Sequence, residues 1–174
     1  AAALLRSADA AMYVAKQAGG NAVEVFGDVL RTRVRHRERI ERELRAGLDH
    51  GGLELHFQPI VPLGGPGRPL AEALLRWRAR DGDPLPAAEA ISVAEQTGLI
   101  HRIGREVLRE ACRHASAWRR EAGEVGVSVN VSARQFARDE DLLADVRAAL
   151  EEAGLPAELL TLEITETVLM EDME

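Results

Sequence analysis

The sequence predicts an α/β fold whose strands pair mostly in parallel, in a doubly wound sheet or a barrel. Three observations carry that reading. From Leu53 onward the segments follow the order strand, strand, helix, strand, helix, strand, and repeated strand and helix units of this kind imply parallel pairing. The first two strands are joined only by the Gly- and Pro-rich turn of residues 62–69, which permits an antiparallel hairpin and is too short for a parallel crossover. Two later strands, Val125 to Ser132 and Leu160 to Glu166, alternate apolar and polar residues, as strands do when one face packs on helices.

Composition bounds the function. With 174 residues, 46% hydrophobic and 29% charged, the chain has material for a core. Its net charge of −7 argues against a nucleic acid polymer as partner, since that role needs Lys and Arg to neutralise phosphates, but a small phosphate ligand is compatible with it. Cys112 is the only cysteine, which excludes an intrachain disulfide and a cysteine metal cluster. There is no membrane segment within this chain, because no apolar run reaches spanning length, and the first residues lack a basic-then-apolar signal pattern. A soluble, cytoplasmic chain is expected. It opens on Ala-Ala-Ala-Leu-Leu without an initiator Met and stops in an acidic segment, so a piece of a longer protein is expected.

Taken in order, Leu4 to Ala18 sets Leu5, Ala8, Met12 and Ala15 on one helical stripe, Gly19-Gly20-Asn21 ends it, and Ala22 to Phe26 is a short apolar strand. Asp28 to His50 is a charged helix with Leu30, Val34, Ile40, Leu44 and Leu48 as its apolar stripe. Its arginines are interleaved with acids, Glu38 with Arg42 and Glu41 with Arg45 at i,i+4, and read as the solvated face of a connecting helix, not as a nucleic-acid or membrane patch. Leu53 to Val61 opposes Leu55 and Phe57 to Glu54, His56 and Gln58, and Pro59 limits the ladder on one side, which implies an unusual pairing or a place near an end.

Leu70 to Trp77 carries Glu72 and Arg76 on one face. Ala71, Ala73, Leu74, Leu75 and Trp77 leave little polar surface around them, so the strand is expected to be buried on most of its area and the charges to belong to a site. Ala87 to Ala117 is helical, broken around Gly98 and Gly104; Val107, Leu108, Ala111, Cys112, Ala115 and Trp118 make its second part amphipathic, and Cys112 reads as a core filler. His101 and His114 lack ligand-like spacing with a partner. In the next strand Val125, Val127, Val129 and Val131 oppose Gly126, Ser128, Asn130 and Ser132, a small polar face suited to a crowded barrel interior or a site. A helix from Leu142 to Ala153 closes at Gly154-Leu155-Pro156, and the last strand opposes Leu160, Leu162 and Ile164 to Thr161, Glu163 and Thr165.

Three strands thus present oxygens from their polar faces: Glu72, Asn130 and Glu163. Hard divalent cations such as Mg²⁺ or Mn²⁺ take oxygen ligands and keep positions open for water and substrate phosphate. Arg76 is suited to a forked pair of hydrogen bonds to a phosphate, and Gln58 to orienting one. The physical sketch is metal-assisted phosphoester hydrolysis, although polar inward residues also simply fill barrel interiors.

Five stretches in order carry a resemblance: Leu-His-Phe-Gln-Pro-Ile-Val (55 to 61), Glu-Ala-Leu-Leu-Arg-Trp (72 to 77), Ala-Glu-Gln-Thr-Gly-Leu-Ile (94 to 100), Asn-Val-Ser-Ala-Arg-Gln-Phe (130 to 136) and Leu-Glu-Ile-Thr-Glu (162 to 166). From Glu43 onward the chain closely resembles the EAL-type cyclic-di-GMP phosphodiesterases. The resemblance implies a partial (β/α)₈ TIM-like barrel with an antiparallel first strand, in agreement with the short hairpin. It implies that Glu72, Asn130 and Glu163 are metal ligands for Mg²⁺ or Mn²⁺, that Gln58 and Arg76 contact cyclic-di-GMP, and that Glu166 joins Glu72 in the catalytic set by supporting a loop near the metals. Such sites gather at the C-terminal ends of barrel strands. It further implies a homodimer through EAL domains.

Ala90 and Ser92 stand where that family usually has Phe and Pro, a local packing change. The paired aspartates, the lysine and the later glutamate of the family belong to the second half of the barrel and have no counterpart in these 174 residues, so the chain alone is expected to be inactive. Ahead of it, Ala-Asp-Ala-Ala-Met-Tyr-Val-Ala-Lys (8 to 16) followed by Gly-Gly-Asn resembles the last helix and strand of a diguanylate cyclase (GGDEF) domain, in which Lys16 matches a phosphate-contacting lysine that has no site to serve here. The expected organisation is residues 1–27 as a GGDEF tail, 28–50 as a connecting helix and 51–174 as the first half of an EAL domain.

Overall fold

The computed structural model describes residues 8, 11–12, 27–64, 67–77, 85–121, 123–137 and 139–164. The helix, turn and strand expected over residues 4–26, with Lys16, and the end of the last strand, with Glu166, lie outside them except at positions 8, 11, 12 and 160–164. The chain divides into two compact units, Ala1–Arg42 and Glu43–Glu174.

Helix α1 (Asp28–His50) runs through the division. In the first unit it buries Leu30 and Ile40, and its arginines at 31, 33, 35 and 39 are exposed. In the second unit it buries Leu44, and in its last turn the Asp49 carboxylate accepts a hydrogen bond from Arg102 at 3.0 Å.

The second unit is built on a four-stranded sheet in the order β1-β2-β3-β4, with β1 (Leu53–Ile60), β2 (Leu70–Trp77), β3 (Gly126–Val131) and β4 (Leu160–Ile164). β1 and β2 form the expected antiparallel hairpin, Leu53 opposite Trp77 and Ile60 opposite Leu70, while β2 with β3 and β3 with β4 are parallel. Pro59 sits next to last on an edge strand, where its missing N–H costs the ladder least.

Between β2 and β3 run α2 (Ala87–Thr97) and α3 (Ile100–Glu121). Between β3 and β4 come α4 (Ala133–Phe136), α5 (Asp139–Ala153) and a 3₁₀ turn, Ala157–Leu159. The strand registers put Phe57, Ala73, Val129 and Leu162 on one face. That face meets α3: the Phe57 ring stands 4.8 Å from Trp118 and 4.9 Å from His114, centroid to centroid. Val127, Val129 and Val131 are buried there against a helix whose Ile103, Val107, Leu108, Ala111, Cys112 and Ala115 are also buried. The period-two and period-3.6 patterns therefore meet as a single apolar layer. On the solvent side Arg105 pairs with Asp145 at 3.0 Å and Arg109 with Glu152 at 3.2 Å, tying α3 to α5.

The helical break expected at Gly98 is present, with Gly98 in the left-handed region at φ 75°. The break expected at Gly104 is not, because α3 continues through it. Gly104 is there for proximity: a Cβ at that position would lie 1.9 Å from Nε2 of Gln135, whose side chain is buried. In an open helix Gly→Ala gains up to about 1 kcal/mol, but overpacking costs about 1–3 kcal/mol. Gly104→Ala is therefore expected to destabilise, and the added substitution Gln135→Ala to restore part of the loss in a double-mutant cycle followed by urea unfolding.

Cys112 is fully buried, and burial raises its thiol from an ordinary 9.0 to about 11. Because the folded chain holds this proton more tightly than the unfolded one, its contribution to stability is complete below pH 9.0 and lost as pH rises through about 11. Unfolding midpoints measured across that window are expected to fall for the native chain and to fall less for Cys112→Ala. A thiol reagent is expected to modify Cys112 only on unfolding.

β2 is buried at Ala71, Ala73 and Trp77, half-buried at Leu74 and Leu75, and exposed at Arg76. The expectation of burial over most of its area thus holds for the helix-facing residues, while the face carrying Glu72 and Arg76 stays accessible.

Candidate active site

The opposite face of the sheet gathers the polar residues. Antiparallel register sets Gln58 opposite Glu72, and parallel register sets Glu72 opposite Ser128, Ser128 opposite Thr161, and Asn130 opposite Glu163. Because residues directly opposite share a face, these six side chains project to the same side. None is contributed by a loop, so their spacing is set by the backbone ladder.

Two hydrogen bonds run diagonally across this surface. Asn130 Nδ2 donates to Glu72 Oε1 at 2.8 Å, and the Ser128 hydroxyl donates to Glu163 Oε1. In each case the partners stand two residues out of register, and the upper residue of one strand leans onto the lower residue of the strand before it. The sequence-predicted trio is therefore brought together: Glu72 and Asn130 by direct contact, Asn130 and Glu163 as ladder neighbours. Asn130 and Glu163 are each the penultimate residue of their strands, as expected for a site at strand ends, whereas Glu72 is the third residue of β2, which runs on past β3 to Trp77.

Gln58 is exposed beside Glu72. Arg76 is on the same face, four residues beyond Glu72, and its Nη1 donates to the backbone carbonyl of Leu75 at 3.0 Å. It is thus exposed and displaced from the trio. Glu166 lies outside the described residues.

The donor set suits a hard cation. Two carboxylates and an amide oxygen, with no imidazole or thiolate among them, match the preference of Mg²⁺ and Mn²⁺, and Mg²⁺ in particular is commonly held by one or two carboxylates while keeping several waters. Both carboxylates are half-buried and Asn130 is exposed, leaving room for water and a phosphate oxygen. Among the described residues no group of three or more His, Cys, Asp or Glu is placed to hold a metal ion. The trio offers two carboxylates and one amide oxygen.

Two supporting residues escaped the sequence reading. Ser128 is fully buried in an inner strand of the sheet, and the sequence marks it only as part of a small polar face. Gln135 caps the turn that follows β3: its Oε1 accepts the Ser132 backbone N–H at 3.3 Å and its own N–H donates to the Ser132 carbonyl at 3.0 Å. The signal was present as Ser132-x-x-Gln135, a Ser followed three residues later by Gln at a helix start. This cap begins α4 and fixes the chain two residues beyond Asn130.

Comparison with known proteins places this architecture. The family model described as EAL domain matches residues 41–174. Over 172 residues the chain is 35% identical to the cyclic di-GMP phosphodiesterase PdeR of Escherichia coli (strain K12), covering 99% of this chain and 26% of that protein. It is 37% identical over 172 residues to the cyclic di-GMP phosphodiesterase NbdA of Pseudomonas aeruginosa, covering 98% of this chain and 22% of that protein. The chain thus spans about a fifth to a quarter of the length of these curated relatives.

Among solved structures, the PaMucR phosphodiesterase in complex with c-di-GMP aligns with TM-score 0.69 and 38% identity over 77% of this chain and 54% of that one. The FimX EAL domain from Pseudomonas aeruginosa bound to c-di-GMP aligns with TM-score 0.68 and 27% identity over 76% of this chain and 52% of that one. With a mixed sheet of parallel strands behind an antiparallel first strand, matched to these neighbours over most of its length, the chain belongs to the EAL domain family.

Proposed function

We propose that the intact protein containing this chain hydrolyses cyclic-di-GMP to the linear dinucleotide with Mg²⁺ or Mn²⁺, and that the chain by itself is inactive. The observation that carries the reading is the alignment of Glu72, Asn130 and Glu163 on one face of adjacent strands, in a family whose relatives include cyclic di-GMP phosphodiesterases. Glu72 and Glu163 supply two negative charges, which balance those of a divalent ion, and Asn130 a neutral oxygen that adds a ligand without adding charge. Such an ion, when bound, activates a water and offsets charge on the phosphoryl oxygens. Gln58 and Arg76 orient the dinucleotide, Arg76 exchanging its bond to the Leu75 carbonyl for a phosphate. Glu166 supports the neighbouring loop.

The same reading assigns residues 1–27 to the tail of a GGDEF-like domain, 28–50 to a connecting helix and 51–174 to the first half of the EAL domain. It takes the protein as cytoplasmic and paired through its EAL domains; no helix among the described residues is long and apolar enough to cross a membrane.

Incubation of the intact protein with cyclic-di-GMP and Mn²⁺ is expected to yield the linear dinucleotide, and excess chelator to stop it. Absence of cation-dependent cleavage overturns the reading. A second reading, a module that binds cyclic-di-GMP or a protein partner and transmits a signal without cleaving the dinucleotide, is favoured by the absence, among the described residues, of a group of three or more carboxylates or other ligands placed for a metal. It predicts saturable binding of the dinucleotide with no product.

A further inference from the structure

We propose that Ser128 is a positioning residue for Glu163: its hydroxyl pins one carboxylate oxygen so that the other is presented to the divalent ion. The inference rests on the metal-site reading of Glu72, Asn130 and Glu163. Ser128 has none of its surface exposed, and a buried hydroxyl requires a partner. On a strand the backbone groups are taken up by the ladder, so the hydroxyl must reach sideways. It does so across β3 and β4 to Glu163 Oε1, two residues out of register. A serine that merely filled space would need no carboxylate at that point, and Gly126, two residues earlier on the same face, fills its place without a side chain.

The repetition of the arrangement is the stronger argument. Glu72 is held through Oε1 by Asn130, and Glu163 through Oε1 by Ser128, each by the small polar residue of β3 that lies diagonally beside it. A glutamate side chain has several rotatable bonds, and an ion that binds it must otherwise immobilise them. One donor on one oxygen removes most of that freedom in advance and leaves the second oxygen for the cation. Donors of this kind typically change metal affinity 10- to 100-fold when removed. β3 thereby supplies one oxygen ligand, Asn130, and holds the carboxylate on either side of it.

The test is Mn²⁺ binding to the chain, read by electron paramagnetic resonance of free Mn²⁺, beside thermal unfolding followed by circular dichroism. Ser128→Ala is expected to weaken Mn²⁺ binding about 10- to 100-fold with a folded chain. Ser128→Cys keeps a small buried side chain but replaces a strong donor by a weak one, and is expected to lose affinity as well. If Ser128 acts only by packing, Ser128→Cys binds Mn²⁺ as the unsubstituted chain does, and the proposal fails. Glu163→Gln separates the two levels of the argument. Mn²⁺ binding that depends on Glu163 but changes less than threefold in both Ser128 variants overturns the role of Ser128 alone. Binding that ignores Glu163→Gln overturns the metal-site reading, and this inference with it.

Discussion

Under the proposed function, Glu72→Gln in the intact protein is expected to lower turnover of cyclic-di-GMP about 100- to 1,000-fold, the range seen when one preorganised electrostatic group is removed from a site. The substitution is chosen to leave the structure alone. Gln retains the length of Glu and an oxygen at Oε1, so the hydrogen bond from Asn130 Nδ2, 2.8 Å in the native chain, has an acceptor still. What disappears is the negative charge, in a half-buried position where solvent cannot fully replace it. Initial rates with saturating Mn²⁺ and an unfolding midpoint on the same preparation check the expectation. A loss of less than tenfold with an unchanged midpoint removes Glu72 from the site.

Leu108→Ala is expected to destabilise the EAL unit by about 2–5 kcal/mol. Leu108 is 1% exposed in the middle of α3, among the buried residues that meet the sheet. Truncation leaves a cavity there, because the neighbours Ala111, Cys112 and Ala115 are too small to collapse into it. Since a domain of this kind is stable by about 5–15 kcal/mol, the loss is a large share of the total. The control is Leu143→Ala on α5, where the side chain is 50% exposed and the expected change is within about 0.5 kcal/mol. Urea titrations of both variants decide the matter; equal midpoints contradict the described core. The functional consequence follows from α3 being the helix against β3, the strand that carries Ser128 and Asn130.

The hairpin of β1 and β2 was legible because chain geometry forbids any other connection over so short a turn, and the valine face of β3 was legible because side-chain alternation is a property of the strand itself. The site face was legible for the same reason: with Glu72, Asn130 and Glu163 on the polar sides of adjacent strands, parallel register brings Asn130 level with Glu163 and leaves Glu72 two residues lower, within reach of the Asn130 amide. Other features depended on tertiary contacts that no local pattern encodes. Gly104 carries the composition of a helix breaker, yet its reason is the approach of Gln135 from a segment 31 residues later. Ser128 is chemically ordinary, and only the diagonal offset of β4 turns its hydroxyl toward a carboxylate. α4 was missed because it is a four-residue helix held by a cap, too short to show a period. Arg76 was assigned to the correct face, but its bond to the Leu75 carbonyl was not foreseeable from spacing.

The proposed function requires one face of this sheet to hold a divalent ion between Glu72, Asn130 and Glu163. The most direct measurement is a ¹H–¹⁵N correlation spectrum of the chain titrated with substoichiometric Mn²⁺, whose unpaired electrons broaden nearby amide signals first. The amides of Glu72, Asn130 and Glu163 are expected to fade before those of α5. Earlier broadening at Asp141 and Asp145, or uniform broadening over all acidic residues, would contradict it.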